Sequence, residues 1–130
     1  MQERLAQHSA MVVVIDDDEA MRHSLEWLLH SSGHRVQCYA SAQGYLDDSG
    51  RDGDPACVIV DVHMPDINGV ELYGMLKDRD PDLAVIFVTG YPDQALAEKA
   101  RSLDATRFFT KPLDTDAILS CIDEAIAATA

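Results

Sequence analysis

VIVDVHMPDING, running from Val58 to Gly69, holds the reading that decides the fold. Its first half belongs to ACVIVD (Ala56 to Asp61), a continuous apolar run that ends in an aspartate. Such a run suits a strand covered on both faces, and strands of that kind belong to parallel sheets. Its second half, HMPDING, is dense in turn residues and predicts a loop. The same form recurs on either side. MVVVID (Met11 to Asp16) is an apolar run closed by acid, and LAVIFVT (Leu83 to Thr89) is one closed by a threonine.

Between these runs the apolar spacing changes from strand to helix. Asp17 or Asp18 can cap a helix in which Met21, Leu25, Leu28 and Leu29 recur, with Gly33 as its left-handed stop. HRVQCY (His34 to Tyr39) alternates as an edge strand does, and Ser41 caps a short helix to Asp48. A helix from Gly69 to Lys77 is expected to bury Leu72, Met75 and Leu76 before DRDPD breaks it. Pro92 is expected in the first turn of a weakly apolar helix carrying Ala95, Leu96, Ala100 and Leu103. A short strand follows at Arg107 to Thr110, closed by Lys111-Pro112. Asp114 then caps a helix whose apolar stripe is Ala117, Ile118, Cys121, Ile122, Ala125 and Ile126. Five strands alternating with five helices predict an α/β, flavodoxin-like doubly wound parallel sheet of order 2-1-3-4-5, whose loops at the carboxyl ends converge on one crevice.

Composition narrows the function. A chain of 130 residues, 47% hydrophobic, suits one domain, expected over 11–130 after a flexible extension at 1–10. A formal net charge of −13 opposes direct nucleic-acid binding. No apolar run approaches the roughly 20 residues that span a bilayer, and the start has no signal-peptide core, so a cytoplasmic protein without membrane contact is expected. Cys38, Cys57 and Cys121 lack zinc or thiol-redox spacings and read as reduced fillers. The five histidines form no metal-binding spacing, so none is a candidate ligand through its ring.

The residues with chemistry sit at one rim: Asp16, Asp17 and Asp18 after strand one, Asp61 after strand three, Thr89 after strand four and Lys111 after strand five. Each alone is bland, since an acidic run at a strand end is usually a helix cap. Together they imply more. Clustered carboxylates raise one another's pKa unless a hard cation neutralises them, and all-oxygen ligands select Mg²⁺ or a similar ion. Lys111 and the Thr89 hydroxyl would serve the remaining phosphate oxygens, which makes this a phosphoryl-transfer site with a carboxylate nucleophile.

The segments VVVIDDDEAMRHSL, VIVDVHMPDINGVEL, VIFVTG and FFTKP resemble the receiver domain of bacterial two-component response regulators, over Met11 to Ala128. They are most similar to receivers of the nitrogen-fixation regulator type. The resemblance implies that Asp61 is the phosphoacceptor and that Mg²⁺ is held by Asp17, Asp61 and the backbone carbonyl of His63, with Asp16 completing the acidic pair. Three consecutive aspartates permit a one-residue slip; Glu19-Ala20-Met21-Arg22 aligns with the family's first helix and favours Asp16 and Asp17. Thr89 takes the switch hydroxyl role, Lys111 the phosphate-binding amine, Phe108 the switch aromatic, and Lys111-Pro112 the family's cis peptide. His63 and Tyr91 flank the site where relatives vary and tune phosphate lifetime. Asp104 stands where relatives commonly have a left-handed Gly.

As partners the resemblance implies a sensor histidine kinase or histidine phosphotransfer domain docking beside Met21, and an output domain or protein meeting the helix-four, strand-five, helix-five face. It also implies a phosphorylation-dependent homodimer through that face. The chain would be a signalling domain that catalyses only its own phosphorylation and dephosphorylation. VVVIDDDEA also fits a haloacid-dehalogenase-like phosphatase, with Asp16 as nucleophile and Asp18 as acid. Ala20, the missing acidic pair after Lys111, the lack of room for a cap and an unused Asp61 count against it.

Overall fold

A computed structural model of the chain describes residues 10–48, 55–103 and 107–129. The expected extension, apart from Ala10, lies outside them, as does Asp104. Among the described residues five strands form a single parallel sheet in the order β2-β1-β3-β4-β5. The strands are β1 (Met11–Ile15), β2 (Arg35–Tyr39), β3 (Cys57–Asp61), β4 (Ala84–Thr89) and β5 (Arg107–Thr110). The helices are α1 (Glu19–Ser31), α2 (Ala42–Asp47), α3 (Gly69–Arg79), α4 (Ala95–Ser102) and α5 (Thr115–Thr129).

Parallel strands place helices on both faces, and the strand side chains divide between two cores. Val13, Ile15, Val58, Val60, Val85 and Phe87 meet α2, α3 and α4 through Tyr45, Leu72, Leu76 and Ala100. Val12, Val14, Ile59, Ile86 and Val88 meet α1 and α5 through Leu25, Leu29, Ile118 and Ile122. This explains the unbroken apolar runs: odd and even positions are both buried. β2 and β5 are the edge strands and are only partly covered. No helix among the described residues is long and apolar enough to cross a membrane.

Local chemistry sets the ends of the helices. Asp18, not Asp17, caps α1, accepting hydrogen bonds from the Ala20 and Met21 amides. Gly33, at φ +89°, lets its own amide reach the His30 carbonyl while the His34 amide reaches that of Leu29, the bonding of a Schellman stop. Asn68 and Glu71 form a capping box on α3. Asp114 caps α5 through the Ala117 amide.

Three expectations do not hold, two of burial and one of a helix start. Met75 and Ala117 are exposed, because each lies to one side of a narrower stripe: Leu72 and Leu76 in α3, and Ile118, Cys121, Ile122 and Ala125 in α5. Pro92 precedes α4 in a turn, and the helix begins at Ala95. α4 buries only Ala97 and Ala100, so its anchoring surface is small.

Two surface features lie on opposite faces of the sheet. An apolar groove of about 600 Å³ runs between α1 and the start of α5, lined by Met21, Trp27, Leu28, Pro112, Leu113 and Ile118. Trp27 is 71% exposed there. On the opposite face the Arg101 guanidinium lies 4.7 Å from the ring centroid of Phe108.

Gly69 positions α3 against the sheet. A Cβ at this residue would stand 2.6 Å from the Asp61 carbonyl oxygen and 2.8 Å from Val62 Cα, both backbone atoms that cannot swing aside. Gly69→Ala should therefore destabilise the protein by about 1–3 kcal/mol and displace the end of β3. Urea unfolding of the variant measures the first effect, and amide shifts of Asp61 and Val62 the second.

Candidate acidic phosphoryl-transfer site

The order 2-1-3-4-5 reverses direction between β1 and β3, and ligands of open α/β sheets bind outside the carboxyl ends of the strands at such a point. Asp16 follows β1 there, Asp61 ends β3, Thr89 ends β4, and Lys111 follows β5. Backbone bonds lock the rim: the Val62 amide donates to the Val88 carbonyl at 2.9 Å and the Lys111 amide to the Thr89 carbonyl at 2.8 Å. The Lys111-Pro112 peptide is cis.

Asp16 and Asp61 are nearly buried, at 1% and 5% exposure. The Lys111 ammonium stands between them, 3.0 Å from Asp16 Oδ2 and 3.4 Å from Asp61 Oδ2. Asp61 Oδ1 accepts the His63 amide at 3.1 Å, and Asp16 Oδ1 accepts the Asp18 amide at 2.9 Å. Asp16 Oδ2 has the ammonium as a charge partner but no well-directed hydrogen bond, which leaves a buried oxygen open to another electropositive partner. Carboxylate oxygens of Asp16, Asp17 and Asp61 all lie within 4.8 Å of one another, and Asp17 is exposed to the crevice mouth. This oxygen-only set fits a hard divalent cation better than any softer one.

Electrostatics agree with the geometry. Burial and the neighbouring Asp16 carboxylate push the Asp61 carboxyl up to about 6, against the opposing pull of Lys111 and the His63 amide. Burial alone would lower the Lys111 ammonium, but the Asp16 and Asp61 carboxylates outweigh it and raise its pKa, so it stays charged. One ammonium therefore faces two buried carboxylates and a third beside them. The site is short of positive charge.

An open crevice of about 380 Å³ exposes this cluster, lined by Asp17, Asp18, Asp61, His63, Gly90, Tyr91 and Lys111. Asp18 contributes a wall and spends its carboxylate on the α1 amides. Both bonds fall on Asp18 Oδ1, the role of a helix cap. Phe108 is half-buried under Arg101 and packs on the core that faces α4.

Two side-chain contacts of the site escaped the sequence reading. Arg22 sends its guanidinium back to donate to the Asp16 carbonyl at 2.8 Å, fixing the chain where β1 ends. Its position six residues after Asp16, on the first turns of a helix, was the available signal. The His63 ring, set aside as a ligand, makes a side-chain contact inside the site: Nδ1 lies 3.0 Å from Thr89 Oγ1. Nothing in the spacing of the histidines announces that contact, because it joins residues on different loops. The cysteines stay inert, with burial pushing the Cys38 thiol up to about 11 and those of Cys57 and Cys121 upward as well.

A doubly wound sheet with an acidic cluster and a lysine at its switch point defines a phosphoryl-accepting signalling class. Residues 12–123 match the response regulator receiver domain family, and the chain belongs to it. It is 43% identical over 122 residues to the transcriptional regulatory protein FixJ of Azorhizobium caulinodans, covering 94% of this chain and 57% of that protein. It is 33% identical over 122 residues to the response regulator TodT of Pseudomonas putida, covering 94% and 53%. A crystal structure of full-length FixJ from B. japonicum superposes with a TM-score of 0.79 at 37% identity, over 91% of this chain and 58% of that one. The chain thus spans a little over half the length of these relatives. The matches lend no support to the phosphatase reading.

The pKa of Asp61 carries a stability consequence. Because the folded value lies near 6, above the ordinary 3.8, the folded state holds this proton more tightly than the unfolded chain. Stability is therefore lost as pH rises from about 4 to about 6, when the carboxyl must ionise in place. Asp61→Asn should stabilise the cation-free protein at pH 7 by about 1–3 kcal/mol. The gain should vanish at pH 4, as thermal unfolding at both pH values would register.

Proposed function

We propose that Asp61 accepts a phosphoryl group from a phosphohistidine of a sensor histidine kinase or histidine phosphotransfer domain. The observation that carries this reading is the Lys111 ammonium bridging Asp16 Oδ2 and Asp61 Oδ2 at the carboxyl end of β3. The Asp61 carboxylate attacks phosphorus; the P–N bond breaks, and its electron pair returns to the donor imidazole. Lys111 keeps Asp61 ionised near neutral pH and neutralises phosphoryl oxygens. Thr89 offers its hydroxyl to the same group. Residues 11–130 form the signalling unit.

Asp17, Asp61 and the His63 backbone carbonyl would hold Mg²⁺, with Asp16 completing the site; the buried Asp16 oxygen without a hydrogen bond and the clustered carboxylates favour this. The ion supplies charge neutralisation for the transferring group. Arg22 holds the Asp16 backbone so that the acidic pair keeps its place.

Thr89 and Phe108 form the switch: engagement of the hydroxyl with the phosphoryl group vacates space for the ring, and the α4-β5-α5 face changes shape. α4, which fully buries only two alanines, is the element that yields most readily. That face meets an output domain or protein, or a second copy of the chain. The apolar groove beside Met21 and Trp27 receives the phosphodonor. With a net charge of −13 the chain itself does not bind nucleic acid, and transcriptional output, the role named for relatives such as FixJ, would reside elsewhere. A cytoplasmic location follows from the donor.

Incubation with Mg²⁺ and acetyl phosphate, read by intact mass, tests the reading. Wild type and Asp16→Asn should gain one phosphoryl increment, the latter more slowly, while Asp61→Asn gains none. Lys111→Ala should slow the reaction roughly 100-fold. Turnover that needs Asp16 and ignores Asp61 would point to the phosphatase, and no adduct in any protein would leave a binding module.

A further inference from the structure

The Thr89 hydroxyl is already occupied. Its oxygen accepts the Tyr91 amide at 3.0 Å, and the same oxygen lies 3.0 Å from His63 Nδ1. If Nδ1 is the acceptor, the hydroxyl proton is satisfied and only the His63 Nε2–H is left without a partner. If Nδ1 is the donor, both the hydroxyl proton and the Nε2 lone pair are orphaned. The first arrangement leaves one unsatisfied group instead of two, so Thr89 donates and His63 accepts. The imidazole also meets the Tyr91 ring edge-on, with centroids 5.5 Å apart and planes at 85°.

A threonine hydroxyl has one proton to give. We propose that His63 is a positioning residue that holds that proton in the resting state, so that a phosphoryl group on Asp61 gains Thr89 only by displacing the imidazole. This inference rests on the role given to Thr89 under Proposed function. His63 Nδ1 and a phosphoryl oxygen compete for one donor, and the strength of the Thr89–His63 bond sets how far the equilibrium favours the resting arrangement. The effect is separate from water access to the phosphoryl group, because it acts on an equilibrium and requires no hydrolysis.

Equilibrium titration with Mg²⁺ and beryllium fluoride, a phosphoryl mimic that is not hydrolysed in the site, distinguishes the possibilities. His63→Ala should bind the mimic about three- to ten-fold more tightly than wild type, the worth of one net hydrogen bond. His63→Asn, which restores a carbonyl acceptor close to the place of Nδ1, should bind as wild type does. The gain should disappear when His63→Ala is made in a Thr89→Val background, since no hydroxyl remains to be released. Unchanged or weaker binding by His63→Ala, or a gain that survives in the Thr89→Val background, overturns the latch. If Thr89→Val costs nothing when added to His63→Ala, the hydroxyl does not hold the mimic at all. That result removes the role of Thr89 itself and the latch with it. Loss of the latch with Thr89→Val still weakening binding leaves the role of Thr89 standing.

Discussion

Two carboxylates forced together out of water are the constraint around which the rest of the molecule is arranged. Asp16 and Asp61 sit at the ends of adjacent strands, nearly buried, with a single ammonium between them. Their burial and their mutual repulsion oppose folding, as the upward shift of Asp61 records. The sheet withstands it because β1 and β3 lie at the centre, covered on both faces, and the strand pairing leaves their ends no freedom to separate. Gly69 brings α3 so close behind Asp61 that the end of β3 cannot retreat either. An excess of negative charge held in a rigid frame favours whatever brings positive charge to it.

The same frame leaves its most lightly packed helix on one side. Thr89 ends β4, Phe108 lies in β5 and Lys111 follows it, and α4 beside them fully buries only two small side chains. The α1 and α5 side is packed through leucines and isoleucines. Rigidity around the carboxylates and looseness around α4 are both consequences of which residues the helices present to the sheet.

Much of this was legible in the sequence. Buried strands read as unbroken apolar runs, and Asp61, Thr89 and Lys111 stand at strand ends that topology must bring to one rim. Helix faces were less legible at their margins: Met75 and Ala117 are apolar and at near-helical spacing, yet exposed, because the stripe that fits between neighbours is narrower than the pattern allows. Pro92 resembled a helix start, but the chain turns before Ala95. Contacts between loops were illegible. The reach of Arg22 to a backbone carbonyl and the meeting of His63 with Thr89 depend on side-chain directions that no periodicity encodes.

Trp27 is the one tryptophan in the chain, and it stands on α1 at the edge of the apolar groove, far more in solvent than in protein. Its emission is thereby an intrinsic optical reporter of that groove. A molecule seated against α1 would shift the indole from water to an apolar setting and move its spectrum to the blue. Rearrangement of Phe108 on the opposite face of the sheet would leave the dye largely unmoved. The fold has in effect labelled one of its two faces and left the other dark.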